Sequence, residues 1–383
     1  MTMTMAAAPH VLAEYRDEFS IFEHKTYLNT CSLGALSKRS RRLVEEFLDT
    51  WAGRGAAAWY DVWWDALTDT RAGYAKLIGA QSNEIALQAS LSTAVTVIAS
   101  ALDYTKRPKV VTTSLDFPTV PYQWLAKERQ GVEVVIVDSP DGKTVPVEAI
   151  AAAIDDRTAL VATSHVYFTT GAIQDIRGVA EAAHAHGALC FIDAYQSVGQ
   201  IPFSVPETGV DFLCAGGLKW LLGGPGIAFL FVRGDLHQKL TPTVTGWFAH
   251  DRQFDFDSTS MEFVGDARRF ELGTPALAVV HSQLGGLDLI HEIGLDQIRH
   301  VVKDLTQDLV SRVRDAGLTL TIADDPEQQS AIVMVRDPDP KAAVARLAAA
   351  NIVADARPGH VRLSPFFYNL PEDNAAAVNV LRS

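Results

Sequence analysis

From about Thr26 onward, apolar residues recur in two alternating rhythms. One is helical: Leu43, Val44, Phe47, Leu48 and Trp51 fall on one face of a segment that Ser37 can cap. Similar reasoning predicts helices over 92–102, 119–130, 145–154 and 176–186. The other is a short apolar run rich in Val, Ile, Leu, Phe and Ala, at 109–113, 132–137, 159–163, 188–192, 211–215 and 227–232. These runs do not alternate with polar residues, so they suit strands covered on both faces. Strands alternating with helices predict an α/β fold around a mostly parallel sheet.

After 274–276 the rhythm changes. Long helical stretches over 277–293 and 295–316 precede apolar segments at 318–322 and 331–336, a helix over 341–350 and a strand around 360–364. This predicts a second, smaller α+β domain. The expected division is an N-terminal segment over 1–26 packing with the small domain, a large domain over 27–293 and a small domain over 294–383.

Composition narrows the function classes. With 383 residues, 48% apolar and 21% charged, the chain can bury a sizeable core and lacks the signature of disorder. A net charge of -13 gives no cationic footprint for nucleic acid. The longest nearly uncharged run, 221–232, is interrupted by Gly223, Gly224, Pro225 and Gly226 and is too short to span a bilayer, so no membrane partner is expected. The first ten residues lack the basic and apolar regions of a secretory leader. Cys31, Cys190 and Cys214 show no paired metal or redox spacing, so no metal is expected and a cytoplasmic location fits.

Open α/β sheets bind ligands beyond the carboxyl ends of their strands, where four polar clusters fall: 90–93, 116–119, 193–196 and 216–220. Asp193 directly follows the apolar pair Phe191-Ile192, and a buried carboxylate needs a partner. It could cap a turn or pair with a protonated pyridine nitrogen. Lys219 sits among small residues beside Leu218, Trp220 and Leu221. Lost hydration there would suit Schiff-base chemistry; the alternative is a surface lysine with a snorkelling head group.

Longer motifs decide between these readings. The chain carries Tyr27-Leu28-Asn29-Thr30-Cys31-Ser32-Leu33-Gly34, Asp116-Phe117-Pro118-Thr119, Gly246-Trp247-Phe248-Ala249-His250 and Val361-Arg362-Leu363-Ser364-Pro365-Phe366-Phe367-Tyr368-Asn369. In these it resembles the kynureninases, while Asp193-x-x-Gln196 and Gly273-Thr274-Pro275 look more like the cysteine desulfurases. Over nearly its full length it resembles class V aminotransferase-like enzymes dependent on pyridoxal 5'-phosphate (PLP), a group that also holds isopenicillin-N-epimerase-like proteins. The resemblance implies fold type I, with a mostly parallel seven-stranded sheet flanked by helices, and PLP held on Lys219 as a Schiff base. It implies that Asp193 meets the ring nitrogen, Gln196 the phenolic oxygen, Phe117 the ring face, and Ser92 and Thr93 the phosphate. It also implies a homodimer in which Trp247 and Thr274 reach the partner's cofactor, and an amino-acid substrate whose carboxylate docks on Arg362. Arg357 is a second candidate for that docking, and Trp59 a candidate pocket wall in the Trp59, Tyr60, Trp63, Trp64 cluster.

The chain departs from the family pattern at several places, including Gln196 for the His that kynureninases carry three residues after the ring-nitrogen Asp, and Trp59 for a polar group that holds the aryl ketone. Leu218 replaces the aromatic residue that precedes the lysine in kynureninases, Gly216 stands where a hydroxyl or Cys is common, and no Cys follows Cys214 to carry a persulfide. The implied activity is that of an aminotransferase or a β-eliminating C–S or C–C lyase. Alternatives are an epimerase or racemase, a kynureninase-type hydrolase, and a non-catalytic PLP-binding sensor. A phosphate-loop nucleotide enzyme is suggested only by 223–226, which no Gly-Lys-Ser/Thr ending follows.

Overall fold

Seven strands form the central sheet of the protein in a computed structural model that describes residues 10–383. The expectation for the first nine residues lies outside that span. Across the sheet the order is Ile85–Gln88, Ala228–Val232, Phe212–Gly216, Leu189–Asp193, Thr158–Ser164, Lys109–Thr113 and Glu133–Val137. Ala228–Val232 runs antiparallel to both neighbours, and the remaining pairs are parallel. Alternate residues of a strand face opposite ways. Accordingly Val111, Val161, Ile192 and Leu213 enter one buried cluster, and Val110, Leu160, Phe191 and Phe212 another. Helices on both faces make these clusters dry, as the unbroken apolar runs require.

Two expected helices are shorter by several residues. The segment expected over 119–130 ends at Leu125, because the chain must turn through Gly131, at φ 89°, into the strand that starts at Glu133. Pro146, the N-cap, delays the next helix to Val147–Ala152. The helix expected over 92–102 spans Leu91–Ser100. The segment 318–322 keeps one isolated bridge, Leu320 to Val335, instead of forming a strand. Strand Ile85–Gln88 and helix Trp63–Leu77 are additions to the expected elements.

Ser37 caps helix Lys38–Arg54 by accepting from Ser40 N–H. Of its apolar face only Phe47 is buried, while Leu48 and Trp51 are exposed. The helix packs closely on Leu277–Ile293, since a Cβ on Gly285 would stand 2.6 Å from Ser40 N. The C-terminal part contains a three-stranded antiparallel sheet of Asp355–Arg357, His360–Leu363 and Val333–Arg336. Near the N-terminus, Thr26–Tyr27 pairs in parallel with Ile352–Val353, and Arg16 bridges to Asp373 at 2.7 Å. Among the described residues no helix is long and apolar enough to cross a membrane.

Candidate active site

The carboxyl ends of the parallel strands open into a cleft of about 300 Å³. It brings Ser92, Phe117, Asp193, Gln196 and Lys219 together, with Thr119, Phe168 and Tyr195 as further lining residues. The reversed strand contributes through its start, at Gly226 and Ile227.

Lys219 lies in the turn after strand Phe212–Gly216, and that turn is clamped on several sides. Gly34 N–H donates to Leu218 O at 2.8 Å, Gly217 N–H to Ile227 O at 2.9 Å and Gly223 N–H to Gly217 O at 2.8 Å. Leu222, just beyond, adopts φ 58°, a left-handed conformation that costs a branched residue about 1–2 kcal/mol. The ammonium lies 5.5 Å from the Tyr195 ring centroid and 5.9 Å from that of Phe117. Loss of hydration pulls its pKa down to about 8, against the attraction of Asp193.

Asp193 is buried at the end of its strand, with one oxygen accepting from Tyr195 N–H at 2.9 Å. Burial pushes its pKa up to about 6, while the Tyr195 hydrogen bond and Lys219 pull the other way. Its second oxygen has no protein donor among the described residues and is free to meet a cationic N–H. Gln196 is also buried. Its amide donates to Cys31 O at 3.0 Å and accepts from the Trp220 indole at 2.8 Å, leaving one N–H for a ligand.

Phe117 is held by its neighbour. Asp116 accepts six hydrogen bonds, from the Thr112, Thr113, Thr163 and Ser164 hydroxyls and from Thr113 and Ser164 N–H. This joins the ends of strands Lys109–Thr113 and Thr158–Ser164 beneath the cleft. Phe117 packs edge-on against Phe168 at 5.2 Å and remains 41% exposed, so it can stack on a planar ligand.

Helix Leu91–Ser100 points its first turn at the cleft. Ser90 and Thr93 cap each other reciprocally, so the Thr93 hydroxyl is committed to Ser90 and Thr93 lines an adjoining cleft instead. Ser92 is exposed, its hydroxyl 3.4 Å from that of Thr119, and its N–H has no protein partner among the described residues. A free N–H at a helix start suits an anion.

Arg362 is buried, and its guanidinium is already engaged. Nη2 donates to Ser32 Oγ and to Asp355 Oδ2, both at 2.7 Å, while Nη1 donates to Phe168 O at 3.1 Å. Arg357 also pairs with Asp355 Oδ2 at 2.7 Å. Neither arginine lines the main cleft, though both bear on the charge of Lys219.

Three further predicted site residues, besides Thr93 and the two arginines, lie outside the main cleft of a single chain. Thr274 is exposed beside the adjoining cleft that Thr93 lines. Trp247 donates its indole N–H to Gln253 O and lies parallel to Phe256, with centroids 6.1 Å apart. Trp59 packs edge-on against Trp63 at 5.4 Å, in a cluster that continues through Trp64 to Phe248. Trp59 is half-buried and does not line the main cleft of the single chain.

Sequence reasoning placed Tyr195 and Thr119 in its polar clusters but gave them no role, quoted Ser32 only within a motif, and missed Asp355. Tyr195 had a readable signal, a bulky residue two positions after Asp193 paired with a glycine at 216. Thr119 stands two residues from Phe117, while Ser32 and Asp355 are brought in by distant segments.

The donor set fits PLP. A free carboxylate oxygen, an exposed aromatic face, a free helix-start N–H and a poorly hydrated amine surround one cleft. Sequence comparison agrees, because the family described as Aminotransferase class-V matches residues 42–374. The uncharacterized aminotransferase YcbU of Bacillus subtilis (strain 168) is 36% identical over 97% of this chain and 97% of its own. A kynureninase from Geobacillus thermodenitrificans (strain NG80-2) is 32% identical over 77% of this chain and 72% of its own. Among solved structures, an apo cysteine desulfurase from Thermococcus onnurineus NA1 superposes with a TM-score of 0.88 at 20% identity, covering 99% of this chain and 98% of that one. A variant of C-DES with glycine covalently linked to its PLP cofactor gives 0.87 at 19% identity, covering 96% and 98%.

Proposed function

Because this chain belongs to the aminotransferase class-V family and is a PLP-dependent enzyme acting on amino acids, we propose that it removes the Cα proton of its substrate with Lys219 as the single base, leading to transamination. PLP, when bound, supplies an electron sink for the charge left at Cα. The observation that carries the proposal is the titratable content of the cleft, which among the described residues is Asp193, Tyr195 and Lys219.

Of these, Lys219 at about 8 and Asp193 at about 6 both titrate near neutrality, and with Asp193 committed to the pyridine nitrogen on this reading, Lys219 is the base left free. Its pKa of about 8 lets the amine lose and regain a proton within the working range of most enzymes. The Tyr195 phenol is pushed far up by burial and stays protonated. Asp193 supplies the negative charge that holds a pyridine nitrogen protonated, and Phe117 with Phe168 forms an apolar wall that limits water. A two-base racemase would need a second group poised like Lys219. β-Elimination uses the same base and differs in requiring a leaving group on the substrate.

On this reading Arg362 takes the substrate carboxylate, with Arg357 holding Asp355 beside it. The working form is a cytoplasmic homodimer in which Trp247 and Thr274 serve the partner's cofactor. Exposed Leu48, Trp51, Phe254 and Phe256 give the apolar surface that such an interface needs.

An amino-acid panel tests the reaction. Keto-acid formation that requires a second keto acid as amino acceptor marks transamination. Ammonia or sulfide released without an acceptor marks a lyase and would replace the proposal.

A further inference from the structure

Gly216 carries no side chain, and Tyr195 occupies the space beside it. A Cβ built on Gly216 would stand 2.1 Å from Tyr195 Cε1 and 2.7 Å from its hydroxyl oxygen, so the two positions cannot both carry side chains as arranged. The ring is aimed by its own backbone, because Tyr195 N–H is fixed on Asp193 at 2.9 Å.

The tyrosine hydroxyl ends at the first turn of helix Leu91–Ser100, where it accepts Leu91 N–H at 2.9 Å. A phenol also has one proton to donate. Here that proton has no protein acceptor among the described residues, and the ring lines the cleft beside the free Ser92 N–H. Two donors therefore converge where a helix start favours an anion. Thr93 is spent on the cap and Leu218 is apolar, so neither competes for this role.

We propose that Tyr195 is a cofactor-binding residue whose hydroxyl donates to the phosphate of PLP at this helix start. This rests on the reading that the phosphate lies at Leu91–Ser100. Burial keeps the phenol protonated, hence a donor, throughout the neutral range.

The test compares apoprotein affinity for PLP and for pyridoxal, which lacks the phosphate, by fluorescence titration. Tyr195→Phe keeps the ring and removes the hydroxyl, and with it both the donor and the acceptor of Leu91 N–H, so pyridoxal serves as the control for any change at the helix start. A hydrogen bond to a charged group is worth about 1.5–3 kcal/mol, so PLP affinity should fall roughly ten- to a hundredfold while pyridoxal affinity is unchanged. Tyr195→Ala should also lose PLP affinity, and adding Gly216→Ser to it should restore part of the loss by returning a hydroxyl to the emptied space. Unchanged PLP affinity in Tyr195→Phe, or equal losses for both ligands, would overturn the proposal. A wild-type protein that binds PLP no tighter than pyridoxal would instead overturn the phosphate location on which it rests.

Discussion

Asp355 Oδ2 stands 2.7 Å from Arg362 Nη2, on the one nitrogen that both bidentate edges of a guanidinium share. The second Nη2 proton goes to Ser32, so a carboxylate cannot dock bidentately until one of these bonds is released. Arg357 can retain Asp355 once it lets go. Asp355→Asn should therefore lower substrate KM about three- to tenfold, whereas Arg362→Ala should raise it at least tenfold through loss of charge-assisted bonds. Steady-state kinetics on both variants checks this; a higher KM in Asp355→Asn would mean that Asp355 orients Arg362 for the substrate.

The apoprotein loses stability by burying Lys219. Its folded pKa of about 8 lies below the ordinary 10.5, so below pH 8 both states are protonated and the folded state bears the full desolvation cost. Between pH 8 and 10.5 the folded lysine is neutral while the unfolded one is still charged, and stability from this group rises with pH. Lys219→Met should stabilise the apoprotein at pH 7 by up to about 3 kcal/mol, with the gain shrinking toward pH 10.5. Denaturant melts at several pH values read this directly, and a gain that grows with pH would contradict it.

Gly34 is where the N-terminal loop meets the lysine turn. A Cβ there would stand 2.2 Å from Lys219 O, against backbone that cannot move without displacing the turn. Gly34→Ala should cost about 1–3 kcal/mol and weaken PLP retention, measured by melting and by cofactor loss on dialysis. Wild-type values for both would show that the loop gives way freely.

Asp116 should matter for stability through the network it holds beneath the cleft. Asp116→Ala leaves six donors facing a void, at a cost of about 3–5 kcal/mol by analogy with breaking a buried charged network. Asp116→Asn should lose less, since its amide oxygen keeps some of these partners. Equal melting points for the two variants would argue against the network.

The sequence makes legible whatever depends on neighbours along the chain. Buried strands such as Leu189–Asp193 announce themselves as unbroken apolar runs; Asp193 ends one such run and Lys219 lies three residues past the end of another. Ile85–Gln88 escaped because a four-residue strand at the sheet edge, followed by polar residues, carries too little pattern. The apolar face of Lys38–Arg54 was readable, but Leu48 and Trp51 remain open on a single chain. Asp355 on Arg362, Gly34 under Lys219 and Tyr195 over Gly216 join residues whose meeting depends on tertiary packing, which periodicity does not encode.

The most direct test of the account is the attachment point of the cofactor. Protein loaded with PLP and treated with borohydride should carry the reduced cofactor on the peptide containing Lys219, and Lys219→Ala should show neither this mass increment nor the wild-type visible absorption. A modified peptide elsewhere, or a reducible cofactor surviving in Lys219→Ala, would contradict it.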